Sequence, residues 1–196
     1  MKHRSFYYAL LSQACLLAGM LLCLLIRPEQ AAANYPVSYF GNFRATIVPY
    51  AAGFLLCAYW LMRTVVVLPP AMRLMRRLLF GVAACTLGVL CTPYMISPAV
   101  GWVHLSFAIA LLALELSLSI LLIIRSHHII ALFGFLLQLF GAVLAVLSLV
   151  ALLHLELIGE LTVIVGFGIL FSYNLSLLDN AAPAPEASAK NSIEES

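Results

Sequence analysis

The chain has 196 residues, 64% hydrophobic and 9% charged, with a formal charge of +2. Soluble domains carry about 25% charged and about 45–50% apolar residues, so this chain lacks the polar surface to cover a water-soluble globule. The balance points to a single-domain polytopic membrane protein, and no basic face with interleaved aromatics suggests a nucleic acid partner.

Apolar runs predict spans at 6–26, 45–68, 74–96, 100–124, 129–153 and 157–178. Each is near the ~20 residues that cross a bilayer as a helix, and in lipid the backbone must satisfy its own hydrogen bonds. The first run follows a basic "MKHR" and precedes "QAAAN", as a signal peptide would. It is longer than the usual 7–15 apolar residues, and Arg27 and Glu29 separate it from the alanines, so it reads as a retained span. The segment from Arg27 to Arg44 carries Tyr35, Pro36, Tyr39, Phe40 and Phe43. Such an aromatic segment lies on the membrane interface or caps the bundle.

Pro69-Pro70 closes the second run, and Pro93 lies near the end of the third. Only "HLELIGE" interrupts the last two runs, and a tight helical hairpin fits that length where one helix does not. The polar tail, 179–196, is rich in Ala, Pro and Ser and is predicted to be disordered. The fold class is therefore all-α: residues 1–178 form a six-helix transmembrane bundle followed by a cytoplasmic tail.

Lys and Arg placement predicts the orientation. With the N-terminus inside, Lys2, Arg4, Arg63, Arg73, Arg76, Arg77, Arg125 and Lys190 are cytoplasmic, and only Arg27 and Arg44 are outside. Both termini are then in the cytoplasm, and the expected location is the inner membrane. Cys15, Cys23, Cys57, Cys85 and Cys91 all sit in apolar runs without a C-x-x-C pair, so they read as small packing residues and not as a disulfide or metal framework.

Glu115 stands out in "GWVHLSFAIALLALELSLSILLIIRSHH". It lies about 16 Å along the helix from His104 and about 15 Å from Arg125, near the membrane midplane. His104 and Glu115 differ by about 20° around the helix and so share a face, near Ala108, Leu111 and Ser119. A charge at the bilayer centre costs roughly 2.5–3.5 kcal/mol on insertion scales. Glu115 is then either neutral and hydrogen-bonded to a neighbouring helix, or part of a proton, ion or ligand path. Gln138, mid-span in the fifth run, and Ser119 are the expected partners. Gly134, Gly141, Ala145 and Ser148 lie near the Gln138 face and make a stripe suited to close helix contact. Asn174 and Tyr173 read as interhelical glue.

A second constellation is expected at the outer surface, where His104, His154, Glu156, Glu160, Arg27 and Arg44 reach similar depth. Histidine and carboxylate can hold a metal and arginine can clamp phosphate, but no spacing here is diagnostic of either, and no metal or cofactor is expected. Arg63, Arg73, Arg76, Arg77 and Arg125 form an inner basic patch suited to topology and to anionic lipid headgroups. No nucleophile elbow, zinc-protease motif or phosphate-cradling glycine loop is present.

The segments "NYPVSYFGN" and "GWVHLSFA", with Pro36, Ser38, Gly41 and His104, resemble the bacterial domain-of-unknown-function 998 membrane proteins, a group similar to the eukaryotic Frag/DRAM/Sfk family. The likeness covers Phe6 to Leu178 and departs in the loop, where Phe40 and Arg44 stand in place of a more polar run. It implies a six-helix bundle. The eukaryotic relatives are associated with lipid-linked membrane processes, and the bacterial members have no established activity. The expected function is a non-enzymatic, lipid-associated or accessory membrane protein with a polar cluster around His104. A protein partner in the membrane is compatible with that role. The alternatives are a small proton-coupled transporter using Glu115 and Gln138 and, behind it, a membrane hydrolase.

Overall fold

The structure, a computed structural model, describes residues 4–93, 95–150 and 154–181. These residues form helices α1 (Arg4–Ile26), α2 (Pro28–Ala32), α3 (Ile47–Val67), α4 (Arg73–Cys91), α5 (Pro98–Ser126), α6 (Ile129–Leu149) and α7 (Glu156–Ala181). Short 3-10 turns cover Val37–Asn42 and Pro70–Met72. All but α2 are long and apolar enough to cross a membrane, giving six spans. The last helix reaches Ala181, past the expected Leu178, and the rest of the predicted tail, 182–196, lies outside the described residues.

Local chemistry sets the helix ends. Leu68 is extended (ψ 140°) because Pro69 disfavours helical geometry in the residue before it, and α3 stops there. Helix α5 starts with Ser97, whose hydroxyl accepts from the Val100 N–H at 3.3 Å, and with Pro98 in the first turn. It ends at His127, which takes a left-handed conformation (φ 47°) and returns its N–H to the Ile123 carbonyl at 3.1 Å. At the other end of the bundle Asp179 of α7 accepts from the Ser5 hydroxyl and, at 3.0 Å, from the Phe6 N–H. A carboxylate from one helix thus caps the positive end of another.

The six spans close into a ring in which α1 packs on α3 and α7, α3 on α4, α4 on α5, and α6 on α7. Outward faces carry exposed Leu25, Val48, Leu55, Phe80, Ile124 and Phe140, as expected for helices solvated by lipid. Between such helices close van der Waals packing must supply the attraction, and small residues permit it. A Cβ on Gly141 would lie 2.6 Å from the Val163 nitrogen and 2.7 Å from the Gly159 oxygen. One on Gly159 would lie 2.7 Å from the Ala145 nitrogen. The predicted stripe on the fifth span therefore docks on α7. The α1–α3 pair uses the same device, with a Cβ on Gly19 only 2.9 Å from the Gly53 Cα.

Helix α5 touches α6 and α7 only sparingly. It buries His104 at one end and Leu118, Ser119 and Leu122 at the other, but nothing between. The bundle is consequently solid at its arginine-rich end, where Leu61, Met75, Leu79, Leu118, Leu122 and Leu175 interdigitate, and hollow toward the end that carries the 27–46 segment.

Candidate functional site

The hollow half encloses a cavity of about 490 Å³, within the range of small-molecule pockets. Every spanning helix contributes to its wall. Phe54, Cys57 and Leu61 of α3 and Val82, Thr86 and Val89 of α4 recur at helical spacing and present one face each. Gln13 and Leu16 come from α1, and the α5 face runs from Gly101 through His104, Ala108 and Leu111 to Glu115. His104 and Glu115 share the cavity as their spacing predicts, and about 16 Å of helix separates them.

The cavity opens sideways. Ile109 of α5 and Val146 and Leu149 of α6 line it, yet are 56%, 49% and 56% exposed on the bundle surface. These two helices form an antiparallel hairpin turning at His127 and His128, and they touch each other only sparingly. Ser119 Oγ donates to Gln138 Oε1 at 2.6 Å and closes the hairpin on the turn side of Glu115. Beyond that bond Ile109, Val146 and Leu149 carry the cavity wall out to the bundle surface between α5 and α6 and form its mouth.

The 27–46 segment folds over the top of the bundle, with Val37, Phe40 and Gly41 buried and Pro36, Val37 and Ser38 lining the cavity. Two polar fastenings hold it. Glu160 accepts from the Val37 N–H at 2.6 Å. Asn34, in a left-handed conformation (φ 55°), donates to the His154 carbonyl and accepts from the Ile158 N–H at 3.3 Å. The Asn34 carbonyl oxygen thereby serves an otherwise unpaired donor in the first turn of α7. Of the two placements expected for this aromatic segment, the cap is the one observed.

The anticipated outer cluster is only partly assembled. His104, Glu156 and Glu160 line the cavity, whereas the His154 side chain is exposed and absent from the lining. Arg27 pairs with Glu29, and its guanidinium carbon lies 4.4 Å from the Phe43 ring centroid. The Glu29 backbone N–H and Arg27 hold that carboxyl below the usual carboxylate range. Arg44 is exposed and does not line the cavity. Charged residues at helix ends project to water when they can, and sequence depth alone does not record that direction.

His104 also has a structural duty. Its Nδ1 donates to the Thr92 carbonyl at 2.7 Å, and the Val89 carbonyl is a further acceptor for the ring. The Thr92 hydroxyl donates to the Gly88 carbonyl at 2.7 Å. Together these groups satisfy carbonyls that the end of α4 leaves without helical partners.

Glu115 departs from expectation. It is bonded neither to Gln138 nor to Ser119, which hold each other, and it makes no hydrogen bond among the described residues. Its carboxyl faces the cavity beside Cys57. Gln138 is fully buried, lies against Gly166 and is not part of the lining. Gln13, Thr86 and Phe54 also line the cavity and were not foreseen from the sequence. Gln13 carried the same signal as Gln138, an amide inside an apolar run.

At the opposite end Arg73, Arg76 and Arg77 line a shallow depression with Val65 and Phe80. Arg63 stacks over the Tyr8 ring at 5.6 Å, and Arg125 is exposed at the end of α5, outside that depression. None of the five has a carboxylate partner among the described residues. Nor do the described residues gather three or more metal-ligating side chains at one point.

Comparison with protein-family models, curated sequences and solved structures returns no match.

Proposed function

We propose that this chain is a non-enzymatic, lipid-handling protein of the inner membrane that receives an amphipathic molecule from the bilayer into its cavity, through the mouth between α5 and α6. The observation that carries the reading is that Ile109, Val146 and Leu149 belong both to the lipid-facing surface and to the cavity wall. A hydrocarbon chain can cross such a mouth without passing through water, so its transfer exposes no apolar surface. The polar groups at the capped end, His104, Glu156 and Glu160, line the cavity near the helix ends, where a headgroup would sit. The resemblance to a six-span group with lipid-associated relatives supports the same reading. The arginines at the other end would favour anionic lipid and a cytoplasmic location.

A second reading, proton-coupled transport, draws on one observation: Glu115 faces the cavity without a partner among the described residues. Gln138 has no place in that reading, because Ser119 engages its amide outside the lining.

Native mass spectrometry of the protein released from membranes in mild detergent tests the proposal. A co-purifying amphiphile is expected on the parent chain and not on Ala108→Trp, which fills the cavity from α5. Equal lipid occupancy in the two proteins would refute the chamber. Proton-coupled solute uptake into proteoliposomes would favour the transport reading instead.

A further inference from the structure

Resting on that chamber reading, we infer that the preferred occupant is an apolar organic cation, an amphiphile ending in an amine or quaternary ammonium, with Glu115 as its counter-charge.

Three glutamates reach the cavity, Glu115, Glu156 and Glu160, and among the described residues no lysine or arginine does. The described arginines are elsewhere: Arg4, Arg63, Arg73, Arg76, Arg77 and Arg125 are at the opposite end, Arg27 pairs with Glu29, and Arg44 is exposed on the capping segment, off the lining. A phosphate or carboxylate headgroup drawn inside would find no compensating cation in the lining, which low-dielectric surroundings penalise strongly. Anionic lipid therefore suits the exterior arginines and not this chamber.

The carboxylates are not equivalent. Glu160 is committed to the Val37 N–H and so to the cap. Glu156 lies in the first turn of α7, where the helix dipole already favours a negative charge. Glu115 has neither a hydrogen bond nor a helix end. It sits at the deep end of an apolar chamber about 16 Å from His104, where a carboxyl held away from bulk water most lacks a partner. The other titratable side chains facing the chamber are Cys57 from α3, His104 from α5 and the two glutamates of α7. From α1, α4 and α6 come only Gln13, Thr86 and Ser148 as polar groups, and none is a cation. Phe54 adds an aromatic face to the wall, a surface that attracts ammonium groups. The mouth between Ile109 and Val146 is apolar, so the occupant must also partition into lipid.

Competition among three probes tests this. They share one alkyl chain and end in trimethylammonium, hydroxyl or phosphate, and occupancy on the full chain is read by native mass spectrometry. The parent protein should prefer the ammonium over the alcohol by at least about tenfold, the scale of one hydrogen bond or contact to a charged group. Glu115→Gln keeps the side-chain size, should erase that preference, and should still bind the alcohol, which also shows that the variant is folded. Phosphate occupancy equal to or above ammonium, or a preference that survives Glu115→Gln, overturns the inference. If all three probes bind alike and Ala108→Trp excludes them, the chamber stands and the cation does not. If Ala108→Trp changes nothing, both fall.

Discussion

Ser119 Oγ and Gln138 Oε1 lie 2.6 Å apart, and their bond ties α5 to α6 one helical turn from Glu115. It marks where the bundle changes from solid to hollow. Ser119→Ala removes the donor and strands a fully buried amide. Hydrogen bonds between membrane helices contribute on average ~0.6 kcal/mol and at most ~1.7 kcal/mol, so a loss in that range is expected in thermal unfolding in detergent. Gln138→Leu combined with Ser119→Ala should cost less than the two single losses added together. Strict additivity would show that the two side chains do not act as a pair.

The glycines between packed helices sort by what a methyl group would strike. At Gly141 it meets the backbone of Val163 and Gly159, which cannot step aside. Gly141→Ala should therefore destabilise by about 1–3 kcal/mol, the usual penalty of overpacking. At Gly81 the nearest atom is the Leu114 Cδ1 tip at 3.0 Å, which can rotate away. Gly81→Ala should leave the melting temperature nearly unchanged, and a drop equal to that of Gly141→Ala would contradict the packing argument.

Glu115→Leu is expected to be at least as stable as the parent chain. No hydrogen bond to a described residue is lost, and placing a charged side chain near the bilayer centre costs roughly 2.5–3.5 kcal/mol that leucine avoids. A fall in thermal stability comparable to that of Ser119→Ala would mean that the carboxyl holds the bundle together.

His104→Ala should unfasten the end of α4 from α5, because the Thr92 and Val89 carbonyls lose their donor. Leaving buried acceptors unmade costs about 1–3 kcal/mol. Hydrogen exchange should rise locally near Thr92, and His104→Gln should recover part of the protection by supplying an N–H. Unchanged exchange in His104→Ala would remove the capping role.

Topology is open to reporter fusions after Asn42, Arg73, Pro98, His127, Glu156 and Asn180. Alternation out, in, out, in, out, in is expected from the distribution of Lys and Arg. An outside signal at Asn180 would reverse the orientation.

The sequence by itself determined the six helices, because a bilayer demands long apolar runs with internal backbone bonding, and Pro69 and Ser97-Pro98 mark helix ends through local sterics and capping. It also determined that His104 and Glu115 face the same way, since helical periodicity is a property of neighbours along one chain. Which helix meets which was settled only by the tertiary structure. The glycine stripe of α6 could have received any helix, and it received α7 because Gly159 and Gly166 offer a matching groove. That docking directs Gln138 to Ser119 and leaves Glu115 to the cavity. Likewise Arg27, Arg44 and His154 share a depth with Glu160 but not a direction, and direction depends on how the capping segment folds over the bundle. The cavity itself is a gap between helices. It has no residue of its own, and it exists because α5 leans on α4 while α6 leans on α7.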